Sequence, residues 1–154
     1  MSWTVQQEGG SEYIRDKVLR KALVAEAEAL RTHEPQRSAL TDANYNFFAT
    51  DAVDPSTATI RVEPRRRDVL LVSGVVVVNR DDGDLLRVAG RLSMNPSFWT
   101  RSVDIVRHYR RVSGIRVPVL MESEADVRIA GRAAFRMTYA YEMINGQPVL
   151  SPAR

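Results

Sequence analysis

Histidines and acid clusters are the side chains of this sequence best suited to proton transfer or metal binding. His33 and His108 lie far apart, and neither has a spacing typical of zinc ligands, such as HxxxH. The acidic run Asp81–Asp84 lacks the spacing and the final Glu of a calcium-binding loop. These residues favour a polar hairpin turn instead. The sequence therefore predicts no metal site and no cofactor.

Of the two histidines, His108 is the candidate general base because of its position in a predicted strand. A two-residue turn at Ser113–Gly114 would place His108 opposite Val119 and turn it towards the apolar side. Asp104, four residues earlier, is too distant for direct contact at roughly 3.3 Å per residue. A β-bulge that returns His108 to solvent is the favoured interpretation. We therefore predict that the protein is not an enzyme, and we assign no catalytic residue. The alternative, an enzyme that uses His108, requires this side chain to point inward within hydrogen-bond reach of a carboxylate.

The other charged clusters have explanations that require no chemistry. Glu122 and Glu124 suggest paired carboxylates, but solvated cross-strand ion pairs, with Arg136 on the next strand, account for them. Arg65–Arg67 and Arg107–Arg111 are basic runs. Nucleic-acid binding would need exposed aromatic rings on the same surface. The predicted aromatic positions lie on the apolar face, so no nucleic-acid partner is predicted.

Length and composition indicate one globular domain. The chain has 154 residues, of which 44% are apolar and 27% charged, and its net charge is +3. No stretch approaches the ~20 apolar residues of a membrane helix, so no membrane-spanning segment is predicted. The N-terminal residues lack the basic segment followed by an apolar segment that is typical of a secretory signal peptide. We therefore expect either a cytoplasmic protein or one whose leader was removed. The absence of cysteine excludes disulfides and thiol catalysis.

A helix is predicted over residues 12–31, with Ser11 as its cap. Its apolar stripe is wide, which is typical of a helix that packs on a sheet. The stripe comprises Ile14, Val18, Leu19, Ala22, Leu23, Ala25, Ala29 and Leu30. Pro35 and the polar residues that follow it end the helix.

From residue 44 onward the apolar pattern alternates, which predicts β-strands. Short connections favour antiparallel neighbours in a meander. The predicted strands are Asn44–Thr50, Thr57–Glu63, Asp68–Asn79, Leu85–Met94, Trp99–Val112, Ile115–Ile129 and Ala133–Ile144. The predicted fold class is α+β, mainly antiparallel β. One domain spans residues 1–154, and its β-meander over about 44–150 curves around the N-terminal helix.

The last long hairpin carries an apolar stripe rich in Met and Tyr. The stripe comprises Val117, Val119, Met121, Ala125, Val127, Ile129, Ala133, Phe135, Met137, Tyr139, Tyr141 and Met143. Matching apolar to apolar places Met121 opposite Tyr141, and it places Asp126 opposite Arg136 on the polar face. Met adapts to irregular ligands, and Tyr combines an apolar ring with a polar tip. The stripe predicts either a packed core or a groove that holds a ligand.

Three segments and a weaker lead-in carry a resemblance to a known family. They are PRRRDVLLVSG (Pro64–Gly74), GDLLRVAGRLSMNPSFWTRSVDIVRHY (Gly83–Tyr109), SGIRVPVLMESEADVRIAGRAAFRMTYAYEMING (Ser113–Gly146) and the lead-in ALTDANYNFF (Ala39–Phe48). Together they resemble the outer-membrane lipoprotein-sorting, or LolA-like, superfamily, in particular its branch of exported proteins. The resemblance implies a half-barrel whose concave apolar face cups helices and holds acyl chains or other lipid-linked ligands. It also implies a periplasmic location.

Together these observations predict non-enzymatic binding or carriage of a hydrophobic ligand, such as a lipid, an acyl chain or a lipoprotein, on the concave apolar face. The alternative is a structural or protein-interaction domain with a sealed core, which would meet a protein partner through its Arg-rich face or an unpaired edge strand. The location is periplasmic by resemblance and cytoplasmic if the chain is complete as given. The predicted lining residues are Leu19, Leu23, Leu30, Leu86, Val88, Leu92, Val119, Met121, Phe135, Met137, Tyr139 and Tyr141.

Overall fold

The computed structural model describes residues 4–8, 35–50, 54–128 and 131–149. The helix predicted over residues 12–31 lies outside these ranges, and so do Leu19, Leu23 and Leu30 of the predicted lining. Within the described ranges, helix is confined to the four residues of α1, Pro35–Ser38. None of the described helical structure is long and apolar enough to cross a membrane.

Antiparallel β-structure dominates the described chain, as the alternating pattern predicts. The strands of the main sheet are Thr4–Glu8 (β1), Tyr45–Ala49 (β2), Thr57–Pro64 (β3), Val72–Asn79 (β4), Leu85–Leu92 (β5), Thr100–Val112 (β6), Ile115–Val127 (β7) and Gly131–Thr138 (β8). Their order in the sheet is β1-β8-β7-β6-β5-β4-β3-β2, so the sheet is open, with β1 and β2 at its edges. Met143–Ile144 (β9) and Gln147–Pro148 (β10) form a separate small hairpin. β1 was not among the predicted strands.

Two tight turns form where the sequence predicts them. Ser113 and Gly114, with φ of 49° and 79°, make the two-residue turn between β6 and β7. Asn145 and Gly146, with φ of 50° and 78°, make the corresponding turn between β9 and β10. Two successive residues with positive φ match the right-handed twist of the flanking strands.

A β-bulge in β7 changes which side chains share a face. Val112 pairs with Ile115 as predicted, but His108 pairs with Leu120 because Val119 is an extra residue outside the ladder. An extra residue reverses the alternation of side chains between the two faces. The single stripe predicted along the odd-numbered residues of β7 is therefore wrong on the N-terminal side of the bulge.

The register between β7 and β8 also differs from the predicted one. Met121 pairs with Met137 and not with Tyr141, and the predicted pairing of Asp126 with Arg136 is wrong for the same reason. The difference is four residues, an even number, so each side chain keeps its predicted face. Both registers leave a three-residue loop, and the apolar pattern alone does not distinguish them.

The core lies against one face of the sheet. Its strand residues all point to that face, as the cross-strand pairs from β2 to β8 require. The buried cluster comprises Tyr45, Val62, Leu71, Val72, Val76, Val88, Val103, Ile105, Met121, Ala125, Val127, Ala133, Phe135 and Met137. Gly74 and Gly90 pair directly with each other in the ladder between β4 and β5. A Cβ atom on Gly74 would lie 2.1 Å from the carbonyl oxygen of Ala89, so the backbones of β4 and β5 approach too closely for any side chain there.

Candidate ligand-binding face

A continuous row of side chains crosses the middle of the sheet on its core side. Directly opposite residues on neighbouring strands have Cβ atoms ~4.5–5.5 Å apart, so such a row is one contact surface. From β3 to β8 the row consists of Ile60, Val76, Val88, Arg107, Met121 and Met137. We call the sheet face that carries this row the apolar face, and the opposite side the polar face.

The nine predicted lining residues that the structure describes differ in burial. The buried ones are Val88, Met121, Phe135 and Met137. The half-buried ones are Leu86, Leu92, Val119, Tyr139 and Tyr141. Leu86 and Val119 are the extra residues of two bulges, in β5 and β7, so the ladder does not fix the face to which they point. Leu92 and Tyr139 pack against the core cluster. The predicted lining is thus partly core and partly the margin of the core.

Two stacked tyrosines close one end of the apolar face. The rings of Tyr139 and Tyr141 have centroids 6.5 Å apart and are within 11° of parallel. Tyr139 Oη lies 3.8 Å from the sulfur of Met121, and Tyr141 Oη donates to the carbonyl oxygen of Pro118 at 2.8 Å. Burial raises the pKa of Tyr141 to about 12, so its hydroxyl is protonated at neutral pH. This end presents aromatic rings whose polar tips already have partners.

Arg107 and Tyr109 of β6 share the apolar face, and the sequence analysis missed them as site residues. Arg107 Nη2 donates to the sulfur of Met121 at 3.4 Å. Burial is the main cause of the raised pKa of both Tyr45 and Tyr141, and Arg107 and Tyr109 act on both pKa values through their charges. Val103, Ile105 and Arg107 lie two residues apart in β6, and this spacing places Arg107 on the same face as the two buried residues. The spacing is easily overlooked when residues 107–111 are interpreted as one solvated basic cluster.

The polar face carries cross-strand ion pairs, among them the predicted pair of Glu122 with Arg136. Arg91 makes two hydrogen bonds to Asp104, at 2.9 and 3.0 Å. Glu122 lies 3.5 Å from Arg136 and 3.9 Å from Nε2 of His108, a separation too long for a hydrogen bond. The His108 side chain is 39% exposed. Among the described residues, no three His, Cys, Asp or Glu side chains come together as a metal site.

The acidic residues 81–84 form the turn between β4 and β5. The carboxylate of Asp82 stabilises this turn, because its Oδ1 atom accepts a hydrogen bond from the backbone N–H of Asp84 at 2.9 Å. The Asp84 carboxylate in turn contacts Arg111 at 2.7 Å and also pairs with Arg116. These acids therefore serve a turn and an ion-pair cluster, in keeping with the hairpin turn that their sequence favours.

An open depression of about 830 Å³ lies where the segment after β3 meets the end of β5. Six of its eleven lining residues are charged, in contrast to the apolar hollow that the sequence predicts. The lining residues are Glu63, Pro64, Arg65, Arg66, Arg67, Ser73, Gly90, Arg91, Leu92, Ser93 and Asp104. Of the predicted lining residues, Leu92 contributes to it. The depression suits a charged or polar group better than an acyl chain.

Comparison of this chain with protein families, with functionally characterised proteins and with solved structures finds no match. The resemblance to the lipoprotein-sorting superfamily therefore stays a prediction that depends on the quoted sequence segments.

Proposed function

We propose that the protein binds the hydrophobic part of a lipid-like ligand, such as an acyl chain, on its apolar face and catalyses no reaction. The observation that carries this proposal is the continuous row on that face, which begins at Ile60 and ends at Met137 beside β1. In the proposed architecture the sheet curves as a half-barrel, and the helix predicted over residues 12–31 covers part of its concave side.

One geometric observation supports the half-barrel. The backbones of β4 and β5 approach each other closely in the middle of the sheet, where a Cβ atom on Gly74 would lie 2.6 Å from the Cα atom of Gly90. Glycines in strand interiors are typical of such close approaches and of tight bends in curved sheets.

The chemistry of the apolar face favours a flexible apolar ligand. Met121 and Met137 adjust to irregular shapes, and the Tyr139–Tyr141 pair adds broad ring surfaces at one end. Burying about ten methylene groups at ~0.8 kcal/mol each would supply ~8 kcal/mol. Before the cost of association is subtracted, this corresponds to a Kd on the order of 1 µM.

A periplasmic location belongs to the same proposal, because the resemblance implies export. The location can be tested by fractionating cells that make the protein from its complete gene. Recovery in the cytoplasmic fraction would remove the periplasmic part of the proposal and leave the ligand proposal standing.

Native mass spectrometry of gently purified protein, followed by titration with a fluorescent fatty acid, tests the ligand proposal. Leu92→Gln places a polar group on the apolar face, where Leu92 pairs with Val72, and should weaken binding about tenfold. Val75→Gln is the matched control, because Val75 is also half-buried in the sheet but points to the polar face. Both variants are first compared by thermal unfolding. A wild-type protein that carries no ligand and ignores the probe would refute the proposal.

One observation favours the alternative, a protein-interaction domain. β2 is an edge strand of the sheet, and no other strand of the described residues pairs with the outer side of Tyr45–Ala49. Phe47 and Phe48 on this strand are 42% and 37% exposed, and the guanidinium of Arg61 lies 4.2 Å from the centre of the Phe48 ring. An exposed apolar edge can accept a further strand. Sedimentation of wild type and Phe47→Ser over a concentration series tests whether this edge pairs with a second copy.

A further inference from the structure

The segment between β5 and β6, residues 93–99, exposes large apolar side chains. Phe98 is 75% exposed, Trp99 43% and Met94 37%. The two rings contact each other edge to face with centroids 5.6 Å apart, and the guanidinium of Arg128 lies 5.0 Å from the centre of the Phe98 ring. Neighbouring exposed apolar side chains of this size are typical of a surface that meets an apolar partner.

The base of this segment is fixed to the sheet. Thr100, which is 2% exposed, donates its N–H to the carbonyl oxygen of Ser97 at 3.1 Å, and the two hydroxyls lie 2.9 Å apart. The Asn95 side chain donates to the carbonyl oxygen of Arg101 at 2.8 Å. The N–H of Arg128 donates to the carbonyl oxygen of Trp99 at 2.9 Å. The aromatic side chains are therefore held outward by an anchored backbone.

The end of the sheet that carries this segment is basic. We define the loop end as residues 36–44, 64–71, 93–101, 128 and 131–132; the Ser93 hydroxyl joins two of these segments by hydrogen bonds with Asp68. The loop end contains seven arginines and two aspartates, and one aspartate, Asp68, is already paired with Arg37. The described segments at the opposite end, residues 54–56, 80–84, 110–116 and 139–149, contain four arginines and five acids. Positive charge is thus concentrated where Phe98 and Trp99 are exposed.

We propose that the loop end docks on the surface of a lipid bilayer that contains anionic lipids. Phe and Trp side chains partition into the interfacial region of a bilayer, and each Arg near an anionic surface adds about 1 kcal/mol of attraction. The depression lined by Arg65, Arg66 and Arg67 opens at the same end. Arg65 donates to the carbonyl oxygen of Tyr45 and Arg66 to the side chain of Asn44, so Arg67 is the group of the three best placed to bind a lipid phosphate. This docking depends on the loop end alone and does not require that the apolar face holds a ligand.

Vesicle binding with Trp99 as the reporter tests the proposal. In a Trp3→Phe background the Trp99 emission should shift to shorter wavelength on vesicles of phosphatidylcholine with roughly a third phosphatidylglycerol, and much less on phosphatidylcholine alone. Phe98→Ser should weaken binding at least about tenfold, since burying a Phe side chain contributes ~1.5–3 kcal/mol. Replacing both Arg67 and Arg101 with Gln should weaken it about 30-fold.

Matched controls come from the opposite end of the sheet. Ile115→Ser removes an apolar side chain that is 36% exposed at the start of β7, and Arg110→Gln removes an exposed charge. Both control variants should bind the mixed vesicles as wild type does. A folded wild-type protein that ignores these vesicles overturns the proposal. Equal losses in test and control variants also overturn it, and so does binding to an oligonucleotide or heparin without a Trp99 shift on vesicles.

Discussion

Replacing Gly74 with Ala should reveal how tightly the sheet bends between β4 and β5. A Cβ atom at this position would lie 2.1 Å from the carbonyl oxygen of Ala89 and 2.6 Å from the Cα atom of Gly90. Both neighbours are backbone atoms, so no side chain can rotate away, and the strands must separate. Overpacking of a close-packed region costs ~1–3 kcal/mol, and a purely backbone clash belongs at the upper end of that range.

The assay is urea and thermal unfolding of Gly74→Ala beside two controls. A loss of ~3 kcal/mol should lower the Tm by roughly 6–12 °C in a chain of this size. Gly83→Ala keeps a strained positive φ of 70° but meets no atom within 4 Å, so it should cost only ~1–2 kcal/mol. Ser73→Ala changes an exposed neighbour and should cost less than ~0.5 kcal/mol. If Gly74→Ala costs no more than Gly83→Ala, the close approach of the two strands is refuted.

Three further outcomes are expected. The pKa of Tyr141 is raised from 10.0 to about 12 by burial, so its contribution to the free energy of unfolding should be complete below pH 10 and lost as the pH rises towards 12. In urea titrations, Tyr141→Phe should therefore lose less stability than wild type between pH 10 and 12. Burial would raise the pKa of Asp68, but hydrogen bonds from Arg37 and the backbone amide of Leu70 lower it overall. Asp68→Asn should therefore lower the free energy of unfolding by ~2 kcal/mol at neutral pH. In acid unfolding titrations this difference should shrink as the pH falls through the lowered pKa. A double-mutant cycle should give Glu122 and Arg136 a coupling of ~0.2–1 kcal/mol, whereas a cycle between Asp126 and Arg136 should give none; the reverse result would restore the predicted register.

The alternation of apolar residues predicted β3 to β8 because each of these strands has buried residues on one face. β6 ends at Val112 and β3 begins at Thr57, as predicted, since turn residues bound them clearly. The β4 strand starts later than predicted because Asp68 turns the chain. Its carboxylate accepts a hydrogen bond from the N–H of Leu70, and its carbonyl oxygen accepts one from Leu71. Leu71 is fully buried without being in a strand, which an apolar run cannot reveal.

The candidate face could be predicted only up to the first bulge. Strict alternation predicted that Val117 and Met121 share a face, but the extra residue Val119 reverses the alternation before Met121. A bulge adds one residue without changing composition, so the pattern carries no signal for it. β1 escaped prediction for a different reason. Its residues, TVQQE, include one strongly apolar side chain, and its place beside β8 depends on backbone pairing with Met137 and Thr138.

The two proposed activities lie on different parts of the same strands and can be separated. The loop end lies at the start of β6, whereas Tyr139 and Tyr141 contact Met121 and Pro118, which pair with Arg107 and Tyr109 further along that strand. Arg107 and Tyr109 are seven and nine residues from Thr100, so at ~3.3 Å per residue the two features are roughly 25–30 Å apart along the strand direction. Phe98→Ser should therefore slow uptake of an acyl probe from vesicles while leaving its affinity for a dissolved probe unchanged, because affinity depends on the apolar face. Val78→Gln places a polar group on the apolar face at the end opposite the loop end, where Val78 pairs with Leu85, so it should weaken the affinity for dissolved probe and preserve vesicle docking. If either variant changes both measurements equally, the apolar face and the loop end act as one site.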